Sequence, residues 1–366
     1  MNKNDINIDK EIYNIINKIN PLNKKTMDIT KNHNDNLMKP IGSLGKLEEI
    51  SIQVSGITGK LINKIKKKAI IIMCADNGVY FENVSTTPRE VTKIQALNLI
   101  KGTAGCAILS KQYNIDLKVI DIGIDAKINE NNIINKKIAF GTKNCAKGEA
   151  MTKKEFKKAF MIGFELVKDL KNQKYDIIGT GEMGVSNTTT AESVISVLCK
   201  NNNLNEIVGK GAGLTEKGYT HKKNIIKKII DVNKPDINNP CEVVQKIGGF
   251  DIAGLMGCFI GAAYFRIPIV IDGVISISAA LAAYKLCSYC RDFMIPSHLS
   301  LEKGYNIAAK ELNIIPLFNL EMRLGEGSGC PFAISIVESA LKVSEKMCKL
   351  EDNNIDKNKL VDIRKE

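Results

Sequence analysis

The run Ala69-Ile70-Ile71-Ile72-Met73 narrows the folds open to this chain more than any other segment. A strand with one wet face alternates apolar and polar side chains, whereas a strand apolar at every position needs cover on both faces. Parallel sheets wrapped by helices supply that cover. Apolar runs followed by turn residues place candidate strands at 69–75, 117–122, 176–179, 267–271, 293–295 and 314–318, with helical patterns between them. The expected fold class is therefore α/β, a doubly wound parallel sheet. A chain of 366 residues exceeds the usual single-domain size, and the pattern predicts a large α/β domain over 67–333. A smaller helical domain is expected from 1–66 and 334–366, with peripheral helices near 9–20 and 334–348 and a disordered tail at 352–366.

Composition excludes several function classes. The net charge of +12 comes largely from Lys spread through Asn- and Ile-rich stretches such as 62–68 and 222–228, without an Arg-rich segment, without Trp and with 5% aromatics. Single-strand readers interleave basic and aromatic residues, so this charge reads as a solvated surface and not as a nucleic-acid footprint. The longest apolar region, 252–283, is broken by Arg266 and Asp272 into runs too short for a membrane span. Ten Cys without regular spacing, and a start lacking an apolar signal core, predict a cytoplasmic protein with buried thiols. The lone Cys287/Cys290 pair falls on a predicted amphipathic helix and reads as structural.

In doubly wound sheets the chemistry gathers at the carboxyl ends of the strands. Asp76-Asn77-Gly78, Asp121-Ile122-Gly123, Gly181-Glu182-Met183-Gly184 and Asp272-Gly273 all stand there. The segment from Gly179 through Gly184 to Ser186-Asn187-Thr188 combines glycines that admit an anion to backbone amides with hydroxyls at the opening of a helix. A tight turn with an ordinary cap explains the same residues. Gly209-Lys210-Gly211-Ala212-Gly213 with Lys222 beyond it fits either a ribose or phosphate seat or a plain loop beside a solvated lysine face. Arg323-Leu324-Gly325-Glu326-Gly327-Ser328-Gly329 is the sharpest signal, because a Glu between glycines can point into a cleft as a desolvated general base. A solvent-facing Glu in a flexible turn is the bland alternative. No Walker loop, HExxH or Gly-x-Ser-x-Gly occurs, and with three His a catalytic metal is not implied. His298 reads as a hydrogen-bonded residue at the start of a helix. A mononucleotide hydrolase, a kinase and a binding module without chemistry all remain open on these motifs.

Taken together, the motifs resemble one family, the nicotinate-nucleotide–dimethylbenzimidazole phosphoribosyltransferases. The likeness runs through Lys39-Pro40-Ile41-Gly42-Ser43-Leu44-Gly45, Ala75-Asp76-Asn77-Gly78, Val84 to Thr92, Gly141-Thr142-Lys143-Asn144, the Gly-Glu-Met-Gly segment, Gly248-Gly249-Phe250-Asp251 and Arg323 to Gly329. The resemblance implies a Rossmann-like six-stranded parallel sheet, a small helical domain and a homodimer whose partner helps close the site. It also implies transfer of phosphoribose from nicotinate mononucleotide to a benzimidazole-type base, with no cofactor and no metal. Glu326 is then the base and Glu182 a second carboxylate near the ribose. Gly184, Ser186, Asn187, Thr188, Gly211, Lys222, Leu324 and Gly325 correspond to the mononucleotide site, and Thr87, Gln95 and Leu324 to the base pocket. The chain departs from the family at Asn77 and Tyr305, where His is usual, and Thr87 falls at a variable position.

Overall fold

A computed structural model describes residues 9–211 and 213–365; Met1 to Ile8, Ala212 of the second glycine-rich loop and Glu366 lie outside the described residues. Six parallel strands form one sheet: β1 (Lys68–Ala75), β2 (Asp116–Gly123), β3 (Ile134–Asn135), β4 (Ile177–Met183), β5 (Ile269–Ile271) and β6 (Met294–Pro296). Their order is β3-β2-β1-β4-β5-β6. The order reverses between β1 and β4, and that is where a doubly wound sheet opens a crevice at its carboxyl edge.

β1 is buried from end to end, and its side chains divide between the two faces. Ala69, Ile71, Met73 and Ala75 join one apolar core, which includes the helices Lys153–Asn172, Asn187–Leu198, Phe250–Phe265 and Val274–Leu286. Ile70, Ile72 and Cys74 join the other, beneath the helices Lys46–Thr58, Val91–Lys101, Gly105–Gln112 and Cys330–Lys346. Period-two alternation thus supplies two cores from one strand.

Several sequence expectations need correction. Residues 314–318 form no strand of the sheet; only a single parallel bridge joins Phe318 to His298. The sixth strand is instead the two-residue β3, too short to leave an apolar run. β4 runs on through Met183, so the Gly179–Glu182 stretch read as a turn is strand. The first helix, Lys10–Ile16, is not peripheral: Ile12, Ile16 and Ile19 enter the main core. The Cys287/Cys290 segment is a 3-10 turn, Ser288–Phe293, and not an amphipathic helix. The tail after 352 carries short 3-10 turns, and Arg364 pairs with Asp35 and Asp362. Among the described residues no helix is long and apolar enough to cross a membrane.

The tightest helix crossing depends on missing side chains. A Cβ on Gly163 would stand 1.8 Å from the carbonyl oxygen of Gly254, and one on Gly257 would stand 1.9 Å from that of Phe160. The helices Lys153–Asn172 and Phe250–Phe265 therefore meet backbone to backbone. Gly257→Ala should force them apart and lower stability by about 1–3 kcal/mol, the usual cost of overpacking, read as a lower midpoint in urea.

Candidate active site

A cavity of about 400 Å³ opens at the carboxyl ends of β4, β5 and β6. The residues that the resemblance assigned to the site all line it: Glu326 and Glu182; Gly184, Ser186, Asn187, Thr188, Gly211, Lys222, Leu324 and Gly325; Thr87 and Gln95; Asp76, Asn77, Asp121 and Asp272, also marked at the carboxyl edge, do not. Three loops and two helix ends distant in sequence therefore meet at one place.

Glu326 is set by backbone geometry. Gly325, Glu326 and Gly327 have φ of 81°, 61° and 82°, so three successive residues are left-handed. Glycine accepts this region freely, while Glu326 is held there at a conformational cost of order 1–3 kcal/mol. Two contacts impose the turn. Asp272, at the end of β5, accepts the N–H groups of Gly327 at 3.0 Å and Gly329 at 2.7 Å. Gly181 on β4 leaves room for the loop, since a Cβ there would lie 2.8 Å from the Glu326 carbonyl carbon. The β4 glycines thus admit a loop, where the sequence reading had them admit an anion. The Glu326 side chain is 5% exposed. Its Oε1 accepts from Gln95 Nε2 at 2.5 Å, while Oε2 has no hydrogen-bond partner.

Behind it lies a group of buried acids. Glu182 Oε1 accepts the Glu326 N–H at 3.4 Å, and Asn187 Nδ2 donates both to Glu182 and, at 3.2 Å, to Asp251. Burial, with Asp251 adding like charge, pushes the Glu182 carboxyl up to about 8. Burial likewise raises Asp272 to about 7 and Asp251 to about 6, against the hydrogen bonds that each accepts.

Another part of the wall is formed by a helix start and a buried lysine. Helix Asn187–Leu198 opens on Ser186, itself left-handed at φ 74°, whose buried hydroxyl has no partner. The positive end of the helix dipole lies at this cavity-lining turn, where the Asn187 and Thr189 amides donate to the Gly184 and Ser186 carbonyls. Lys222, which the sequence reading also grouped with a solvated lysine stretch, is wholly buried and ion-paired to Glu192 at 2.8 Å. Its neighbours Lys227 and Lys228 are exposed.

The sequence reading missed His298, Ser300 and Glu302, which line the same cavity. The available signal was their place just after β6, at the carboxyl edge. His298 is not at the start of a helix. It is 1% exposed, stacks near Tyr305 and Phe318, and shares a 3.0 Å hydrogen bond between Nδ1 and Ser297 Oγ. Burial lowers its pKa to about 4, which keeps the imidazole neutral at pH 7.

With this geometry in place, comparison with known proteins is direct. A sequence profile of the DBI_PRT phosphoribosyltransferase family matches residues 19–355. A nicotinate-nucleotide–dimethylbenzimidazole phosphoribosyltransferase of Clostridium tetani is 49% identical over 348 residues, covering 95% of this chain and 96% of that protein. The chain belongs to this family. The relative of that name from Clostridium acetobutylicum is 51% identical over 90% of the chain and 94% of its own length. Among solved structures, CobT from Thermus thermophilus superposes with a TM-score of 0.86 at 27% identity, covering 91% of this chain and 99% of that one.

The buried acids fix the sign of a pH effect. A carboxyl whose folded pKa is raised binds more protons in the folded than in the unfolded chain between the two values, so stability falls as pH climbs through that window. Glu182, near 8, and Asp272 and Glu192, near 7, span the neutral range. His298 opposes them only below its unfolded value of 6.5. The thermal midpoint should therefore fall between about pH 6.5 and pH 8, and Glu182→Gln should flatten that fall in scanning calorimetry.

Proposed function

We propose that the cavity holds nicotinate mononucleotide with C1′ below Glu326, and that Glu326 takes the proton released when a benzimidazole nitrogen attacks that carbon. The chain is a nicotinate-nucleotide–dimethylbenzimidazole phosphoribosyltransferase by family. The overall reaction gives α-ribazole 5′-phosphate and nicotinate for the nucleotide loop of cobalamin. One observation carries the assignment of roles: the unpartnered Oε2 of Glu326, on a carboxylate whose other oxygen is tied to Gln95 in the cavity wall.

The chemistry fits those parts. The pyridinium of the mononucleotide already carries positive charge, so nicotinate leaves with the C1′–N bonding pair and needs no proton. One nitrogen of 5,6-dimethylbenzimidazole donates its lone pair to C1′, and the N–H on the other nitrogen gives its proton to Glu326 Oε2. Without that acceptor a positive charge would be stranded on the product ring. Glu182, protonated for much of the time at neutral pH, holds the Glu326 amide and stands as a positioning acid on the ribose side. The helix opening at Ser186 to Thr188, Gly184, Gly211, Lys222 and the Leu324–Gly325 backbone receive the mononucleotide. Thr87, Gln95 and Leu324 flank the base.

The same reading takes the protein as a cytoplasmic homodimer of two-domain subunits, with 1–66 and 334–366 as the smaller unit. Exposed Ile94, Ile108 and Leu324, on segments around the cavity, offer apolar surface to a partner. Unpaired buried thiols such as Cys74, Cys106 and Cys258 suit a reducing compartment.

Nicotinate release from nicotinate mononucleotide should require an aromatic base; release in water alone would mark a hydrolase. Glu326→Gln should lower turnover about 10²–10⁴-fold with little change in mononucleotide affinity, and near-normal turnover with chemistry rate-limiting would remove Glu326 as the base. Unsubstituted benzimidazole should also react. Loss of two methyls removes about 1–3 kcal/mol of apolar burial without touching the attacking nitrogen, so competition against 5,6-dimethylbenzimidazole should show a shift in preference, not rejection.

A further inference from the structure

We propose that Glu192 is a positioning residue of the mononucleotide site that takes up a proton from solvent when the 5′-phosphate settles beside Lys222, so that phosphate binding and protonation are linked. The inference rests on the reading of that wall as the phosphate seat.

The geometry holds Lys222 between a carboxylate and two neutral acceptors. Its Nζ lies 2.8 Å from Glu192 Oε2 and donates to Thr188 Oγ1 at 3.1 Å and to the Gly209 carbonyl at 3.3 Å. An ammonium has three donors, and two are engaged here, while Glu192 Oε2 meets the charge as an ion pair without a hydrogen bond. Glu192 Oε1 meanwhile accepts the Gly209 N–H at 2.8 Å, so one carboxylate holds both the lysine and the start of the glycine-rich loop. Lys222 and Glu192 are each 0% exposed.

A second carboxylate faces the same point. A Cβ on Gly209 would lie 1.7 Å from Glu302 Oε2 and 3.4 Å from Glu192 Oε1, so the two acids converge on one glycine. Glu302 Oε2 is buried without a hydrogen bond. Of the other charged neighbours, Lys210 is turned away in an exposed pair with Glu216. Glu192's own helix presents Thr188 and Thr189 here, which are uncharged. Two carboxylates against one ammonium leave this corner net negative before any ligand arrives.

A phosphate dianion brought to Lys222 adds further negative charge in surroundings that screen poorly. The smallest adjustment that relieves it is a proton on the carboxylate already paired to the lysine. Glu192 then becomes a neutral acid that can still accept from the Gly209 amide, and Lys222 turns its charge to the phosphate. Burial, offset by Lys222 and reinforced by Glu302, already holds Glu192 at about 7, so little added repulsion is needed. Glu182 and Asp272 titrate nearby, and only a variant can separate their contribution.

Titration calorimetry of nicotinate mononucleotide into the base-free protein, at about pH 8 in HEPES and in Tris, counts the protons. The native chain should take up close to one per site, and its affinity should fall by up to about tenfold from pH 7.5 to 8.5, the limit for a single linked proton. Glu192→Gln should abolish the uptake and flatten the profile. Glu302→Gln, by withdrawing the neighbouring charge, should move the uptake to lower pH. No uptake by the native chain, or the same uptake in Glu192→Gln, overturns the proposal. If circular dichroism shows Glu192→Gln unfolded, an unchanged profile in Glu302→Gln overturns it instead. A mononucleotide that binds without proton uptake leaves the phosphoribosyltransferase roles standing; one that fails to bind removes both.

Discussion

Two backbone amides, those of Gly327 and Gly329, end on a single buried carboxylate, Asp272, and the placement of the candidate base follows from that contact. A loop of three left-handed residues has no internal reason to keep its shape. Two hydrogen bonds to a group fixed at the end of β5 supply one. The same bonds bring the loop flush with β4, where Gly181 has no side chain to resist it, and set the start of helix Cys330–Lys346, which then covers one face of the sheet. Removing the Asp272 carboxylate would strand two buried N–H groups at about 1–3 kcal/mol each, so the contact matters to stability as well as to geometry.

The cleft concentrates acids that the low dielectric discourages from ionising together. Glu182, Asp251 and Asp272 stand behind or beside the loop, and each is raised mainly by burial. For a reaction whose leaving group departs unaided and whose nucleophile must lose a proton, such a site offers proton acceptors graded by environment and not by residue type. The lysine wall is built on the reverse principle, a cation kept buried by its ion pair with a carboxylate.

Much of the fold was legible because β1 carries its message in every residue. Alternate side chains feed two cores, and a short β-branched run of this kind, bounded by turn residues, is what a strand covered on both faces requires. The edge was not legible. β3 is two residues long, and of the apolar run at 314–318 only Phe318 bridges and stacks near His298, without entering the sheet. In the site, all twelve residues assigned by the resemblance surround one cavity. What the glycines of β4 meant was partly misread: Gly179 and Gly181 serve loop-to-strand contact inside β4, a role that only the tertiary structure discloses. Glu192 could not be found from pattern at all, since a Glu in a helix of small residues looks the same whether it faces water or a buried lysine.

Cys330 sits where the loop becomes helix, with its thiol fully buried and directed at the Thr180 carbonyl at 3.3 Å. Burial raises its pKa well above that of an ordinary thiol, so it is both unreachable and unreactive while the helix is seated. An alkylating reagent can modify it only after this corner lifts from the sheet. The chain therefore carries its own reporter, at the junction that holds Glu326, of how often the loop and the strand part company.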